Sequence, residues 1–145
     1  MKQVSLAEAQ RLAGDTAAAK ITAEQARNIL ERLYKNQPDN RGLALLLSST
    51  YAELGEKDSA LKEARRAIML LPSAKDPVFG PGSEENLASI ETIVGDNSRA
   101  ISTLTELLQT PYMYPITPAL LRLDPTWDPL RADPAFQKLC EEKQP

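Results

Sequence analysis

The chain has 145 residues, 42% of them hydrophobic and 26% charged, which is enough for one domain with a real core. Its formal net charge of −3 gives no electrostatic case for nucleic acid or an anionic membrane surface. It has no histidine and a single cysteine, Cys140, so the commonest general base, the commonest metal ligand, intrachain disulfides and cysteine-based zinc sites are all excluded.

The elements follow one another as helices. Ser5-Leu6-Ala7-Glu8 fits a capping box, which predicts a first helix at about 5–13, stopped at Gly14. Asp15 or Thr16 then caps a longer helix whose apolar residues, from Ala19 through Ala26 to Leu33 and Tyr34, fall largely at helical spacing, ending near Asn36 before Pro38. Asp39 or Asn40 opens the next helix, which Gly55 terminates. Asp58 caps its partner, carried by Leu61, Ala64, Ala67 and Ile68 up to Pro72. A loop rich in proline and glycine, Ser73 to Gly82, leads to a third pair. That pair runs from about Ser83 to Val94, turns at Gly95-Asp96-Asn97 and returns through Ala100, Ile101 and Leu104 to Pro111.

After it stand Thr117-Pro118, Asp124-Pro125, Asp128-Pro129 and Asp133-Pro134, each an N-cap residue followed by proline at the first helical position. They predict short helices at about 118–123, 126–131 and 134–142. Trp127, Leu130, Phe136 and Leu139 would cover the open end of the third hairpin, with Trp127 at the core of the tail and Cys140 a small apolar residue on the last helix.

The three hairpins share a register. An alanine follows Gly14, Gly55 and Gly95 by five residues (Ala19, Ala60, Ala100), and a leucine precedes each by eight (Leu6, Leu47, Leu87), followed by Ala7, Ser48 or Ala88. Repetition at this period marks a stacked array in which each unit buries its apolar face against its neighbours. With Arg41 as the first position, Leu47, Ser48, Tyr51, Gly55, Ala60, Ala64, Ala67 and Pro72 resemble the signature of the tetratricopeptide repeat. The departures are Ala44 in place of tryptophan, Ser48 in place of glycine or alanine, and Ala64 in place of an aromatic. In the third hairpin the match is weaker, with Glu91 at the aromatic place and Leu104 and Leu107 at small ones. The glycines are spaced more widely than the family's unit. In the first hairpin the excess is about two helical turns between Ala26 and Pro38, which lengthens the helix without rotating its apolar face. In the second it falls in the loop after Pro72. HEAT-type repeats, which run at about this period, are the architectural alternative.

The segment Leu120 to Leu139 is similar to the C-terminal tail of tetratricopeptide regions in large bacterial signalling proteins. There the repeats follow a serine/threonine kinase, cyclase-like or winged-helix DNA-binding domain. The resemblance implies a fragment of a longer protein, with any catalysis upstream, and it transfers no catalytic residue. It favours the cytoplasm, or the periplasm if the parent spans a membrane. Within this segment no apolar run approaches the ~18 residues a membrane span needs, and Met1-Lys2-Gln3 leads into helical sequence without a signal-peptide core.

The expected architecture is therefore all-α: a tetratricopeptide-like superhelix over 1–145, with hairpins at about 5–36, 40–71 and 83–110 and a helical cap at 117–142. In such arrays the first helix of each hairpin lines the concave face. The resemblance puts Leu45, Ser49, Ala52 and Glu53 there, and in the third hairpin Glu85, Ser89, Thr92 and Ile93. The chaperone-binding members grip a peptide's terminal carboxylate with lysine, asparagine and arginine. Those places hold Leu45, Ser49, Gly82 and Asn86 here, so that clamp is absent. Phe79 and Tyr112-Met113-Tyr114 are the other candidate anchors, since tyrosine is enriched at interface hot spots. The alternative for each set is structural: a solvated groove for the first, packing on the cap for the second.

Lys62, Arg65 and Arg66 are interrupted by Glu63 and read as a solvated helix face. The acid pairs Glu84-Glu85, Asp124 with Asp128, and Glu141-Glu142 are adjacent or at cap positions rather than facing one cleft. Gly80-Pro81-Gly82 lacks the lysine and hydroxyl of a phosphate loop. No catalytic, cofactor-binding or metal-ligating residue is assigned. The expected function is a non-catalytic scaffold that docks a protein, a peptide or a neighbouring domain of the parent chain. The alternative is homodimerisation through an uncapped first hairpin.

Overall fold

The computed structural model describes residues 1–141, and the predicted end of the last helix, Glu142, lies outside them. Among the described residues are eight α-helices, one 3-10 helix and no strand, so the chain is all-α. The chain forms two compact units, Met1–Leu70 and Leu71–Pro145.

The first unit holds α1 (Lys2–Leu12), α2 (Thr16–Asn36), α3 (Arg41–Glu53) and α4 (Lys57–Leu70). Helix α1 packs along α2 and α3 along α4, and both helices of the first hairpin also lie against α3. Each hairpin turns on a glycine. Gly14 and Gly55 have φ of 86° and 78°, a conformation that costs a side-chain-bearing residue steric strain. The hydrogen bonds around them are the same. Gly14 N–H donates to Arg11 O and Asp15 N–H to Gln10 O; Gly55 N–H donates to Ala52 O and Glu56 N–H to Tyr51 O. Those pairs satisfy carbonyls that a helix end otherwise leaves open.

Small residues line the helix crossings. Ala7, Ala19 and Ala26 in the first hairpin, and Ser48, Ala60, Ala64 and Ala67 in the second, are almost fully buried. The apolar core of the unit gathers Val4, Ala26, Leu30, Leu43 and Leu47, with Tyr34 and Tyr51 at its edge. Because Ala60 is wholly enclosed, Ala60→Leu must push the two helices apart, and its expected cost is about 1–3 kcal/mol. A lowered denaturation midpoint by far-ultraviolet circular dichroism checks this, and an unchanged midpoint counts against the crossing described.

Local corrections have local causes. Helix α1 starts three residues earlier than the capping box implied; Ser5 is inside it, and Met1 at the N-cap makes no side-chain bond. The burial of Val4 explains the extra turn, since it needs helical geometry before Ser5 to reach the core. Asn40 caps α3 by accepting from Leu43 N–H, and Asp15 caps α2 by accepting from Ala18 N–H. Asp58 is not a cap; it sits in the first turn of α4, where its charge favours the positive end of the helix. Helix α2 is 21 residues long against 14 for α4, which accommodates the extra turns before Pro38.

The second unit holds α5 (Pro81–Ile93), α6 (Asn97–Leu107), α7 (Pro118–Leu123), a 3-10 helix (Pro125–Leu130) and α8 (Pro134–Glu141). Helix α5 begins at Pro81 rather than Ser83, because proline's fixed φ suits the first helical position. Gly80 precedes it with no room for a Cβ, which would stand 2.6 Å from Asp76 O and 2.7 Å from Ser73 Cα. Gly95 repeats the glycine turn at φ 81°, with Gly95 N–H on Thr92 O and Asp96 N–H on Glu91 O.

Helices α5 and α6 pack together; the 3-10 helix lies against both and α8 lies against α6 and α7. Trp127, Leu130, Phe136 and Leu139 join Ala88, Ala100, Leu104 and Leu107 in one core, as their spacing had suggested. Thr117, Asp124 and Asp133 cap as expected, accepting from the backbone N–H groups of Leu120, Thr126 and Ala135. Asp128-Pro129 does not start a helix. Pro129 lies inside the 3-10 helix, and the Asp128 carboxylate pairs instead with Arg131 Nε at 2.6 Å.

Candidate functional site

In the second unit the chain between Leu107 and Leu121 carries no Asp, Glu, Lys or Arg. Within that stretch Met113 and Tyr114 point to solvent, Tyr114 83% exposed. The loop before α5 exposes Val78 and Phe79 in the same way, Phe79 by 51%. One backbone hydrogen bond joins the two loops: Met113 N–H donates to Val78 O at 3.0 Å. Phe79 and Tyr112–Tyr114, separate candidates in the sequence, therefore lie on two loops that are joined beside Val78 and Met113.

Both loops are held from beneath. Asp76 Oδ1 accepts from Val78 N–H and Phe79 N–H at 3.0 and 2.9 Å, so a single carboxylate shapes the turn that presents Phe79. Tyr112 points inward and packs on the core. Its hydroxyl donates to Glu85 Oε2 at 2.7 Å and accepts from Ile116 N–H at 3.0 Å, anchoring the loop at both ends. Burial, then the Glu85 carboxylate, push the Tyr112 hydroxyl well above the usual tyrosine range, while its bond from Ile116 acts the other way. Burial likewise raises Glu85; the Tyr112 bond opposes this and Asp124 adds to it. Tyr112 is thus the fastener of the loop, while Phe79, Met113 and Tyr114 are its presented face. Sequence reasoning missed Val78 and Asp76; the Asp76-Pro77 turn signal before two apolar residues marks them both.

The helix-face candidates fare differently. Ala52, Glu53 and Thr92 are buried, so they offer nothing to a partner. Thr92 Oγ1 donates to Ala88 O within its own helix at 2.9 Å. Glu53, 8% exposed, accepts from Arg11 Nε at 2.8 Å and belongs to the α1–α3 contact. Burial raises the Glu53 carboxyl above its ordinary value, and the guanidinium beside it only partly offsets that. Leu45, Ser49, Ser89 and Ile93 are half-buried, and Ser49 Oγ bonds back to Leu45 O at 3.3 Å. Glu85, the remaining member, is engaged by Tyr112.

Elsewhere the first unit closes its polar groups on one another. Tyr34 donates to Glu63 at 2.8 Å, Tyr51 to Glu31 at 2.9 Å and Arg27 to Glu56 at 2.8 Å. The Arg66 guanidinium stands 5.8 Å from the Tyr34 ring centre and bonds Pro38 O, which ties the basic cluster to the α2–α3 turn. Burial and Glu63 push the Tyr34 hydroxyl to about 12.

A cleft of about 440 Å³ lies beside α8, lined by Arg122, Arg131, Phe136, Gln137, Cys140 and Glu141. Its guanidiniums are committed: Arg131 to Asp128 and to the carbonyls of Leu121 and Asp124, Arg122 to Cys140 O. They staple the cap and leave no anion site. Burial raises the Cys140 thiol, so it is a poor nucleophile. Among the described residues no group of His, Cys, Asp or Glu could hold a metal ion, and no helix is long and apolar enough to cross a membrane.

No family model, curated protein or solved structure matches the chain. The exposed apolar surface formed by Val78, Phe79, Met113 and Tyr114 is accordingly the candidate site, on its geometry alone.

Proposed function

We propose that this chain is a non-catalytic protein–protein interaction module of the tetratricopeptide type, part of a larger bacterial signalling protein. The tetratricopeptide reading is supported by three glycine turns with the same hydrogen bonds and by the burial of Ala7, Ser48, Ala88, Ala19, Ala60 and Ala100 at matching places. The stacking of the first hairpin on α3 supports it too. The observation that carries the interaction reading is the joined surface of Phe79, Met113 and Tyr114. An apolar face set on tethered loops costs little ordering on binding and fits a docking site better than a solvated one.

Panning a random peptide display library against the protein tests this. The expected outcome is enrichment of sequences with aromatic or aliphatic anchors whose binding is lost in the Phe79→Ser/Tyr114→Ser variant, while its melting temperature stays within about 2 °C of the parent, as surface changes allow. Peptides bound equally by parent and variant would move the docking function off this surface.

A second reading, self-association, rests on Leu6, Leu12 and Ile21, all exposed on the first hairpin although Leu47, the repeat equivalent of Leu6, is buried. Light-scattering mass over a hundredfold concentration range separates the two readings. A dimer dissociated by Leu6→Ser supports the second, and a monomer throughout removes it.

A further inference from the structure

The docking surface of the second unit has an acidic margin. The Asp76 carboxylate lies under the Val78–Phe79 turn, Glu85 holds the Tyr112 hydroxyl, and Glu84 accepts a hydrogen bond from Ser73 Oγ in the loop that leads to Phe79. None of the three forms an ion pair with a described cation, in contrast to Asp96, which pairs with Arg99, and Asp128, which pairs with Arg131. The partners of Asp76, Glu84 and Glu85 are neutral hydroxyl and backbone groups, which orient a carboxylate without cancelling its charge. Over residues 71–86 Lys75 is the single cation, against the three carboxylates Asp76, Glu84 and Glu85. An apolar centre bounded by uncompensated negative charge discriminates among partners by the sign of the charges beside their hydrophobic anchor.

We propose that the surface formed by Val78, Phe79, Met113 and Tyr114 takes a peptide segment with an apolar anchor flanked by lysine or arginine. This rests on the docking reading above and adds to it the partner's chemistry. The anchor packs on Phe79 and Tyr114, and the flanking cations lie over Asp76 and Glu84. The electrostatic part acts at the rim, so it sets association rate and selectivity more than total affinity, and it weakens with salt.

The test uses labelled peptides with a Leu-Phe-Leu centre flanked on each side by two lysines, two serines or two glutamates, with affinity read by fluorescence anisotropy on the full chain. The expected order is lysine, then serine, then glutamate, the first about tenfold tighter than the last at low ionic strength. That gap narrows to within about twofold at 0.5 M salt, where screening reaches only a few ångströms. Phe79→Ser abolishes binding of all three. Asp76→Asn/Glu84→Gln keeps an acceptor oxygen on each side chain and therefore its hydrogen bonds, and it removes the preference for lysine. Equal binding of the lysine and glutamate peptides by the parent protein overturns the basic partner and leaves docking in place. No binding of any peptide at about 1 mM, the weak limit of useful affinity, overturns both. A dimer that Phe79→Ser dissolves and that excludes the peptides overturns the proposal in favour of a second copy of the chain.

Discussion

Phe136→Ala lowers the stability of the second unit by about 3–5 kcal/mol, the usual cost of emptying an aromatic site in a close-packed core. Phe136 is 1% exposed and joins residues from α6, the 3-10 helix and α8 in one cluster. The cavity cannot collapse easily, because the cap is held at several points. Asp124 and Asp133 fix two helix starts, and Arg131 reaches the carbonyls of Leu121 and Asp124. Urea denaturation followed by tryptophan fluorescence reads this unit selectively, since Trp127 is the sole tryptophan and lies in the same core. With a slope of about 1–2 kcal/mol per molar, the midpoint falls by roughly 1.5–5 M. A midpoint within experimental error of the parent would mean that the C-terminal helices are not part of this core.

Arg11→Met, which keeps an unbranched apolar stem and removes the charged guanidinium, destabilises the first unit by about 2–4 kcal/mol at neutral pH. The cost comes from leaving the buried Glu53 carboxylate without its cation rather than from losing an attraction. It sits at the lower part of the range for such breaks, because Arg11 itself remains partly in water. The sign of the pH dependence follows from the direction of the Glu53 shift. Burial raises the folded carboxyl above its unfolded value, and removing the guanidinium, which opposes that, raises it further. Between the two values the folded protein binds more protons than the unfolded one, so stability falls as pH rises through that window. The variant is therefore closest to the parent below the ordinary carboxyl range and falls behind as pH rises from there toward neutrality. Melting curves across this range provide the measurement. A deficit constant with pH would mean that Arg11 contributes packing alone.

Much of the helical order was legible because it depends on short-range chemistry. Glycine at 14, 55 and 95 answers a left-handed turn, and proline at 118, 125 and 134 answers a first helical position. What failed at short range failed where a tertiary contact overrode the local signal. Val4 drew α1 past the Ser5 box, and Arg131 claimed Asp128 from its apparent cap.

The site was half legible. Aromatic loop residues stood out in the sequence, but their junction rests on a backbone bond between Met113 and Val78, which no side-chain pattern encodes. The helix-face residues were placed by resemblance, and Glu53 shows why that was insufficient. A charged residue at a face position looks exposed until its partner, Arg11, is found 42 residues away.

The bond between Met113 and Val78 also bears on how the surface would meet another molecule. Loops that are already fastened spend their conformational freedom when the chain folds, not when a complex forms. Encounter then resembles the docking of two rigid bodies, with side-chain rotamers adjusting and the backbone nearly still. For a series of partners alike in flanking charge, selection would show in how long each stays bound, while the rates of arrival remain close together.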